Sequence, residues 1–369
     1  MAVNIFLRRE SMATILKYKV ADGYRWRVRW WDENEKQVSK TFDRQTIARD
    51  FMVKLEHEMR EGIYTEPTKI RVSDYLYKWI DSYQSNLAPN TARSYKVNID
   101  HICKHIGNKQ MQKLTAIDIE STYAKLSESL SGTSLLYIHR TLSRAFNQAE
   151  KQRLIKRNVL DLVETPKKNK EKKSNFVHPD DIPRYLKAFE NHYLYPAVCL
   201  AVFAGLRRGE VLGLKWSDIK NGNLIIQHNM TYDGIRPPKS GSKRLVPISA
   251  PIERVLHEQK KRQNEEKEKL WEKYYRSEFV VTKKDGTLIN PRLLSNTFKR
   301  VLKRKGLEVI RFHDLRHTAA SLMILEGVDL KTVSEILGHS SISITADIYG
   351  HVLEEQKRKA VGQLDKYFI

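Results

Sequence analysis

Apolar and charged residues alternate near the start of the chain. Tyr24, Trp26, Val28 and Trp30 fall on one side of an extended segment, and Arg25, Arg27 and Arg29 fall on the other, because successive side chains of a strand point to opposite faces. Residues 14–20 and 36–42 have the same β character, and turn-like Ala21-Asp22-Gly23 and residues 32–35 separate the three runs. The period then changes. Ile47, Phe51 and Leu55 share one face of a helix predicted over residues 44–60 and closed by Gly62. A three-stranded sheet with one helix follows from this pattern. Residues 1–13 carry no pattern and read as a disordered leader, with Met12 opening MATILKYKV as a natural start.

Residues 65–69, with Pro67, form a short linker, and helical periodicity then runs to about residue 165. Leu76, Trp79, Ile80 and Tyr83 face inward from a helix over 72–84. Asn90 is placed to cap a second helix that ends near Ile106 and Gly107. Thr115 and Asp118 have capping-box spacing, with Asp in place of Glu. Gly132 and Thr133 lead into a long helix to about Arg153. Four or five helices of this length predict a bundle. TPKKNKEKKSN, residues 165–175, is the clearest boundary, a basic linker opening with Pro166.

Beyond Phe176 the pattern is mixed. Pro179 and Asp180 start a helix, residues 193–205 read as a buried one, and 222–248 read as β after an Asn221-Gly222 turn. Residues 251–276 predict a charged, solvated helix, and Asn290-Pro291 opens another. In residues 312–351, FHDLRHTAASLMILEGVDLKTVSEILGHSSISITADIYGH, the apolar positions Phe312, Leu315, Ala319 and Leu322 face a core. Gly327 stops that helix. Leu330, Val333 and Leu337 form a second stripe ended by Gly338, and Ser343 is placed to cap a last short helix carrying Tyr349.

Composition narrows the partners. At 369 residues, length suggests two or three domains. Sixty-six Lys and Arg against 44 Asp and Glu give a net charge of +22, which points to a polyanion, nucleic acid first. An anionic membrane would require an amphipathic anchor or a lipidation motif, and the sequence shows neither. The longest apolar run, residues 195–206, is too short to span a bilayer. Two cysteines, Cys103 and Cys199, without a C-x-x-C pair fit a reducing cytoplasm and exclude a disulfide scaffold.

The chemistry concentrates at the carboxyl end. His313, Arg316, His317, His339, Tyr349 and His351 lie within forty positions. Arg binds phosphate oxygens with a planar fork, His moves protons near neutral pH, and Tyr serves as a covalent nucleophile. HDLR at 313–316, LGH at 337–339 and the tyrosine of DIYGH at 349, in this order and spacing, resemble the tyrosine recombinase (phage integrase) family of site-specific DNA recombinases. GLRRGEVLGLKW, residues 205–216, resembles the family's earlier arginine motif and supplies Arg207, with Glu210 one turn on to hold its guanidinium. IRPPKSGSKRLVPIS, residues 235–249, fits the family's hairpin lysine. Lys239 aligns best there, with Lys243 and Arg244 close by.

That resemblance implies a fold and a set of roles. The fold is multidomain and mainly α with small β elements: an arm-type DNA-binding domain over 1–62 (the sheet and helix), a helical core-binding bundle over 70–165, and a mixed, mostly helical catalytic domain over 176–369. Tyr349 would attack a DNA phosphate and leave a 3′-phosphotyrosine bond. Arg207 and Arg316 would neutralise the phosphate, His313 would act as general base, Lys239 as general acid, and His339 would hydrogen-bond the phosphate. No cofactor is implied. Residues 1–62 resemble the arm-binding domains of phage and conjugative-transposon integrases, which makes Arg25, Arg27 and Arg29 candidate arm contacts. Thr91, Arg93 and Lys96 are candidate phosphate contacts of the bundle. Tyr367 lies in the tail as a second tyrosine, in a segment better suited to packing between protomers. The implied partners are double-stranded DNA at core and arm attachment sites, other copies of the chain in a tetramer on DNA, a directionality factor (excisionase) and a DNA-bending host protein. No membrane is implied, and the implied location is the cytoplasm of a host cell, integrating and excising a mobile element.

Two other functions use the same residues. His313 and His317 are four apart, a metal-ligand spacing that His339 and His351 would complete in a metal-dependent nuclease. Against this, HDLRH lacks the glutamate of H-E-x-x-H, and Arg316 would set a cation beside the metal. A DNA-binding protein without catalysis would use only the sheet and the bundle. Any one of these residues alone is more simply a surface charge or a core side chain. The ordered set favours the recombinase.

Overall fold

The computed structural model describes residues 13–31, 36–62, 64–66, 68–169, 176–238, 243–339, 341–343, 345–346 and 361–362. The expected leader, the basic linker beyond Asn169, Lys239, Tyr349, His351 and Tyr367 lie outside the described residues. The chain divides into two compact units, Met1–Lys170 and Glu171–Ile369. Among the described residues, no helix is long and apolar enough to cross a membrane.

In the first unit, β1 (Ala13–Val20), β2 (Gly23–Trp31) and β3 (Gln37–Phe42) form an antiparallel sheet with β2 central, and α1 (Gln45–Arg60) covers one face. The alternation of β2 decides which face. Val28 and Trp30 are buried with Ala48 and Leu55 of α1. The Trp30 indole donates to the Tyr64 hydroxyl at 2.8 Å, so its polar edge is satisfied inside the cluster. Tyr24, on the same side, stays exposed. On the open face Arg25 pairs with Asp43 at 3.3 Å, and Arg27 stacks over the Tyr18 ring at 4.6 Å.

Four helices follow: α2 (Val72–Tyr83), α3 (Pro89–Ile106), α4 (Ala116–Ser127) and α5 (Gly132–Lys151). Leu76, Ile80, Ile99, Ile102, Ile119, Ile138 and Leu142 are fully buried between them. The Thr115–Asp118 capping box forms with both of its bonds, at 3.3 and 3.1 Å. Asn90 does not cap α3. Pro89 takes the first helical position, where a missing N–H costs nothing, so Ala88 is the cap residue and Asn90 instead accepts from Arg93 at 3.2 Å. Lys96 pairs with Asp81 at 3.4 Å.

The second unit contains α6 (Ile182–Phe189), α7 (Tyr195–Phe203) and the short α8 (Arg208–Gly213), then β4 (Ile219–Lys220), β5 (Asn223–Ile226), β6 (Asn229–Thr231), β7 (Gly234–Arg236) and β8 (Arg244–Pro247). Strands β4, β5 and β8 make one antiparallel sheet, and β6 and β7 make a separate hairpin. Helices α9 (Ala250–Leu270), α10 (Pro291–Arg304), α11 (Asp314–Leu325) and α12 (Leu330–Leu337) complete the described elements. Helix α7 is apolar all round and lies at the centre of the core, as its unbroken apolar run requires. Helix α9 is shorter than the expected 251–276 and is not wholly solvated. Gln259 and Gln263 are buried, and their amides donate to the carbonyls of Phe279 and Val280 and to the Thr282 hydroxyl at 2.8–3.2 Å.

The capping box offers a direct check on the bundle. Thr115→Ala removes the hydroxyl acceptor for the Asp118 N–H, so it should cost about 1 kcal/mol of unfolding free energy. Urea denaturation measures this, and an unchanged midpoint would show that the cap contributes nothing.

Candidate active site

Two loops and two helix ends bring the expected residues together. Gly205 adopts φ +61° just before Arg207. A Cβ at Gly205 would lie 2.6 Å from Leu337 Cδ2, so the chain passes α12 closely only because no side chain is present. Gly338 ends α12 in the left-handed conformation (φ +67°), turning the chain so that His339 follows the helix end directly. Helix α11 begins at Asp314, two residues after the Phe312 that the apolar pattern places on it, and His313 is its cap residue.

Three guanidiniums meet at the carboxyl end of α12. Arg244 Nε donates to the Ile336 carbonyl at 2.8 Å, Arg316 Nη2 to Leu337 at 2.7 Å, and Arg207 Nη2 to Gly338 at 2.8 Å. Three consecutive carbonyls that a helix end leaves without backbone donors thus each receive a cation, where the helix dipole also favours positive charge. Arg316 is buried, and its Nη1 donates to the Gly205 carbonyl at 2.7 Å, tying the loop before Arg207 to the same point.

Glu210 links two of these arginines. Arg207 donates to it from Nη1 at 2.9 Å and from the backbone N–H at 2.8 Å. Arg244 grips the same carboxylate with both terminal nitrogens, at 2.9 and 2.7 Å. Burial by itself would raise the pKa of Glu210. The hydrogen bonds and charge of Arg244, followed by Arg207, overcome burial and hold it at about 2. Of the three side chains only Arg207 keeps substantial exposure, 26% against 9% for Arg244 and 1% for Glu210.

The histidines lie in this cationic field. His313 and His317 meet edge to face with ring centroids 5.0 Å apart. Crowding by surrounding protein, then His317 and Arg316, lowers the pKa of His313 to about 4, although part of the residue remains open to solvent. Burial, then Arg316 and Arg207, lowers His339 to about 4 as well. His339 Nδ1 lies 2.8 Å from the hydroxyl of buried Thr345. With Thr345 donating, the neutral ring carries its hydrogen on Nε2, available to an acceptor.

Arg207, His313, Arg316 and His339 are therefore brought together from three separate segments, His313 and Arg316 sharing one. Lys239 and Tyr349 lie outside the described residues. Sequence reasoning named Arg244 only as a neighbour of Lys239 and missed its contact with Glu210. The signal was present in the alternation of β8, where Leu245 is exposed and Val246 buried, which turns Arg244 inward. Thr345 was missed too, and nothing in its sequence surroundings marks it. Among the described residues, no group of three or more His, Cys, Asp or Glu side chains could hold a metal ion.

Comparison with known proteins decides the family. Residues 175–356 match the Phage integrase family, and residues 71–127 match the Phage integrase N-terminal SAM-like domain. A tyrosine recombinase XerC-like protein of Caldanaerobacter subterraneus is 31% identical over 371 residues, covering 92% of this chain and 94% of that protein. The chain belongs to the phage integrase family. It is a tyrosine-type site-specific DNA recombinase. The ICEBs1 integrase of Bacillus subtilis is 28% identical to this integrase over 329 residues, covering 86% and 89% of the two chains. Among solved structures, the Tn1549 transposon integrase in complex with transposon right end DNA superposes with a TM-score of 0.68 at 21% identity, covering 80% of this chain and 99% of that one. A lambda integrase tetramer bound to a Holliday junction gives 0.64 at 20% identity, covering 90% and 94%. The family assignment sets aside both the nuclease and the non-catalytic alternatives.

The two depressed histidines have a consequence for the DNA-free integrase. Unfolded, they take up protons near pH 6.5; folded, only near pH 4. The unfolded chain therefore binds more protons in between, so stability is lost as pH falls from 6.5 to 4. Replacing both with Asn should make the melting temperature fall less steeply over that window, with His339 contributing more than the partly exposed His313. Identical slopes for wild type and variant would refute the shifts.

Proposed function

We propose that this recombinase cuts and rejoins DNA with Tyr349 as nucleophile and Arg207, Lys239, His313, Arg316 and His339 as its catalytic partners. The convergence of Arg207, Arg316, His313 and His339 at the end of α12 supports the reading most directly. Tyr349 follows His339 by ten residues. Its phenol oxygen forms a bond to phosphorus, and the bond from phosphorus to the 5′-oxygen breaks. The phenol proton passes to His313, which is neutral near pH 7 and so able to accept it. Lys239 protonates the departing 5′-oxygen. Arg207 and Arg316 balance charge on the non-bridging oxygens, and His339 donates to one of them through Nε2. Losing one such donor typically costs about 3–4 kcal/mol of transition-state stabilisation. A 5′-hydroxyl from the partner duplex then reverses the step. The phosphotyrosine conserves the bond energy, so the reaction draws on no nucleotide cofactor.

The proposed division of labour is arm-site binding by residues 1–62, core-site binding by 70–165 and catalysis by 176–369. In the first, Arg25, Arg27 and Arg29 face DNA, since Arg is the commonest reader of guanine in a major groove that admits a β-ribbon. Two strand exchanges need four active sites, which favours a tetramer on DNA. An excisionase and a DNA-bending host protein would set direction, and the reaction would take place in the cytoplasm of the host cell on its chromosome. The element would be a phage or a conjugative transposon. Relatives named as transposon and ICE integrases support that source.

Two measurements test the roles. Tyr349→Phe should abolish the covalent adduct on a nicked trapping substrate while leaving DNA binding unchanged. Adduct that persists in Tyr349→Phe but disappears in Tyr367→Phe would move the nucleophile to the tail. Lys239→Ala should slow cleavage strongly yet recover on a substrate with a sulfur leaving atom, which needs no proton. Recovery by Lys243→Ala in place of Lys239→Ala would assign the general acid to Lys243.

A further inference from the structure

We propose that Arg244 is a positioning residue for DNA cleavage, balancing the charge of Glu210 so that Arg207 presents its full positive charge to the scissile phosphate. The proposal rests on the reading of Arg207 as a phosphate clamp. It begins from a conflict in the geometry. Glu210 orients Arg207 through two hydrogen bonds, but a carboxylate 2.9 Å from a guanidinium also cancels much of its field. A clamp held that way would be well placed and poorly charged.

Arg244 resolves the conflict. Both of its terminal nitrogens bond the same carboxylate, at 2.9 and 2.7 Å, and its Nε bonds the Ile336 carbonyl, so three contacts fix it. Two guanidiniums and one carboxylate leave a net charge of +1. That charge is expressed where solvent and substrate have access, and of the three side chains Arg207 is the exposed one. Arg244 is nearly buried and fully engaged with Glu210 and Ile336, so it reaches the phosphate only through its effect on Arg207. A purely structural anchor for β8 would need no second cation on a carboxylate that already has one.

The test separates charge from structure. Single-turnover cleavage of a nicked core-site substrate is measured at saturating enzyme for wild type, Arg244→Gln and the double variant Glu210→Gln/Arg244→Gln, with DNA affinity and melting temperature alongside. Removing a direct electrostatic donor slows catalysis about 10²- to 10³-fold, and a charge acting one residue away should cost less, on the order of 10-fold. Arg244→Gln should show that loss with unchanged DNA affinity. The double variant should recover most of the rate, because the neutral amide no longer cancels Arg207. On a substrate whose scissile phosphate is an uncharged methylphosphonate, Arg244→Gln and wild type should converge. A double variant as slow as Arg244→Gln or slower, or a defect of equal size on the methylphosphonate, overturns the proposal. Should Arg244→Gln fail to fold, the double variant decides alone: folded and active supports the idea, unfolded or inactive refutes it. Adduct formation by the wild type tests the underlying assignment separately. If wild type forms adduct and Arg244→Gln cleaves as fast, only the role of Arg244 fails.

Discussion

One buried carboxylate, Glu210, organises the candidate site of the second unit. Glu210 binds Arg207 three positions before it, and its other partner, Arg244, comes from a strand 34 positions away. An isolated carboxylate at that depth would cost several kcal/mol, and an isolated buried guanidinium as much. Each makes the other tolerable only when the geometry is good and the remaining donors are used. Here they are used on the carbonyls of Ile336 and Gly338, so solving the desolvation problem also fixes the end of α12. The site is thereby ordered before any DNA arrives, which is the condition under which electrostatic stabilisation is most effective.

Burial, with the neighbouring positive charge adding to it, sets the protonation of the histidines. An imidazolium is unfavourable in this enclosed site beside the gathered guanidiniums, and both His313 and His339 are held neutral. Neutral imidazole is the form that accepts a proton and, through its other nitrogen, still donates a hydrogen bond. A bound phosphate would reverse part of this field. Charge that is surplus in the free protein becomes matched when the substrate enters.

Much of the fold was legible because its signals are local. The β2 alternation, the Thr115–Asp118 box and the apolar run of α7 each specify an element without help from the rest of the chain. Asn90 misled because a proline one position earlier outranked it. The glutamines of α9 misled for a different reason. Their sequence neighbourhood is charged, and only the carbonyls of residues 279 and 280, far along the chain, make their burial favourable. The site divides in the same way. Arg207, His313, Arg316 and His339 stand in short motifs that can be read from the sequence, whereas Arg244 acts through partners 34 and 92 positions distant. A short motif shows in the sequence, whereas a residue whose partners all lie far along the chain does not.

The packing of α12 adds a last consequence. Its buried residues Val333 and Leu337 pack with Ala320 and Ile324 in a small cluster of their own, while Ile336 lies partly buried against the large core of the unit. Segments with so little apolar burial open at lower free energy than the body they belong to. The arginine bonds to Ile336, Leu337 and Gly338 therefore add a polar tether to this limited apolar packing. Opening of this helix would release Arg207 and Arg316 from their carbonyl partners and displace His339 while the rest of the unit stayed folded. Heat inactivation would then be a local event, running ahead of global melting, and amide exchange in α12 would report on it sooner than any loss of bulk helicity.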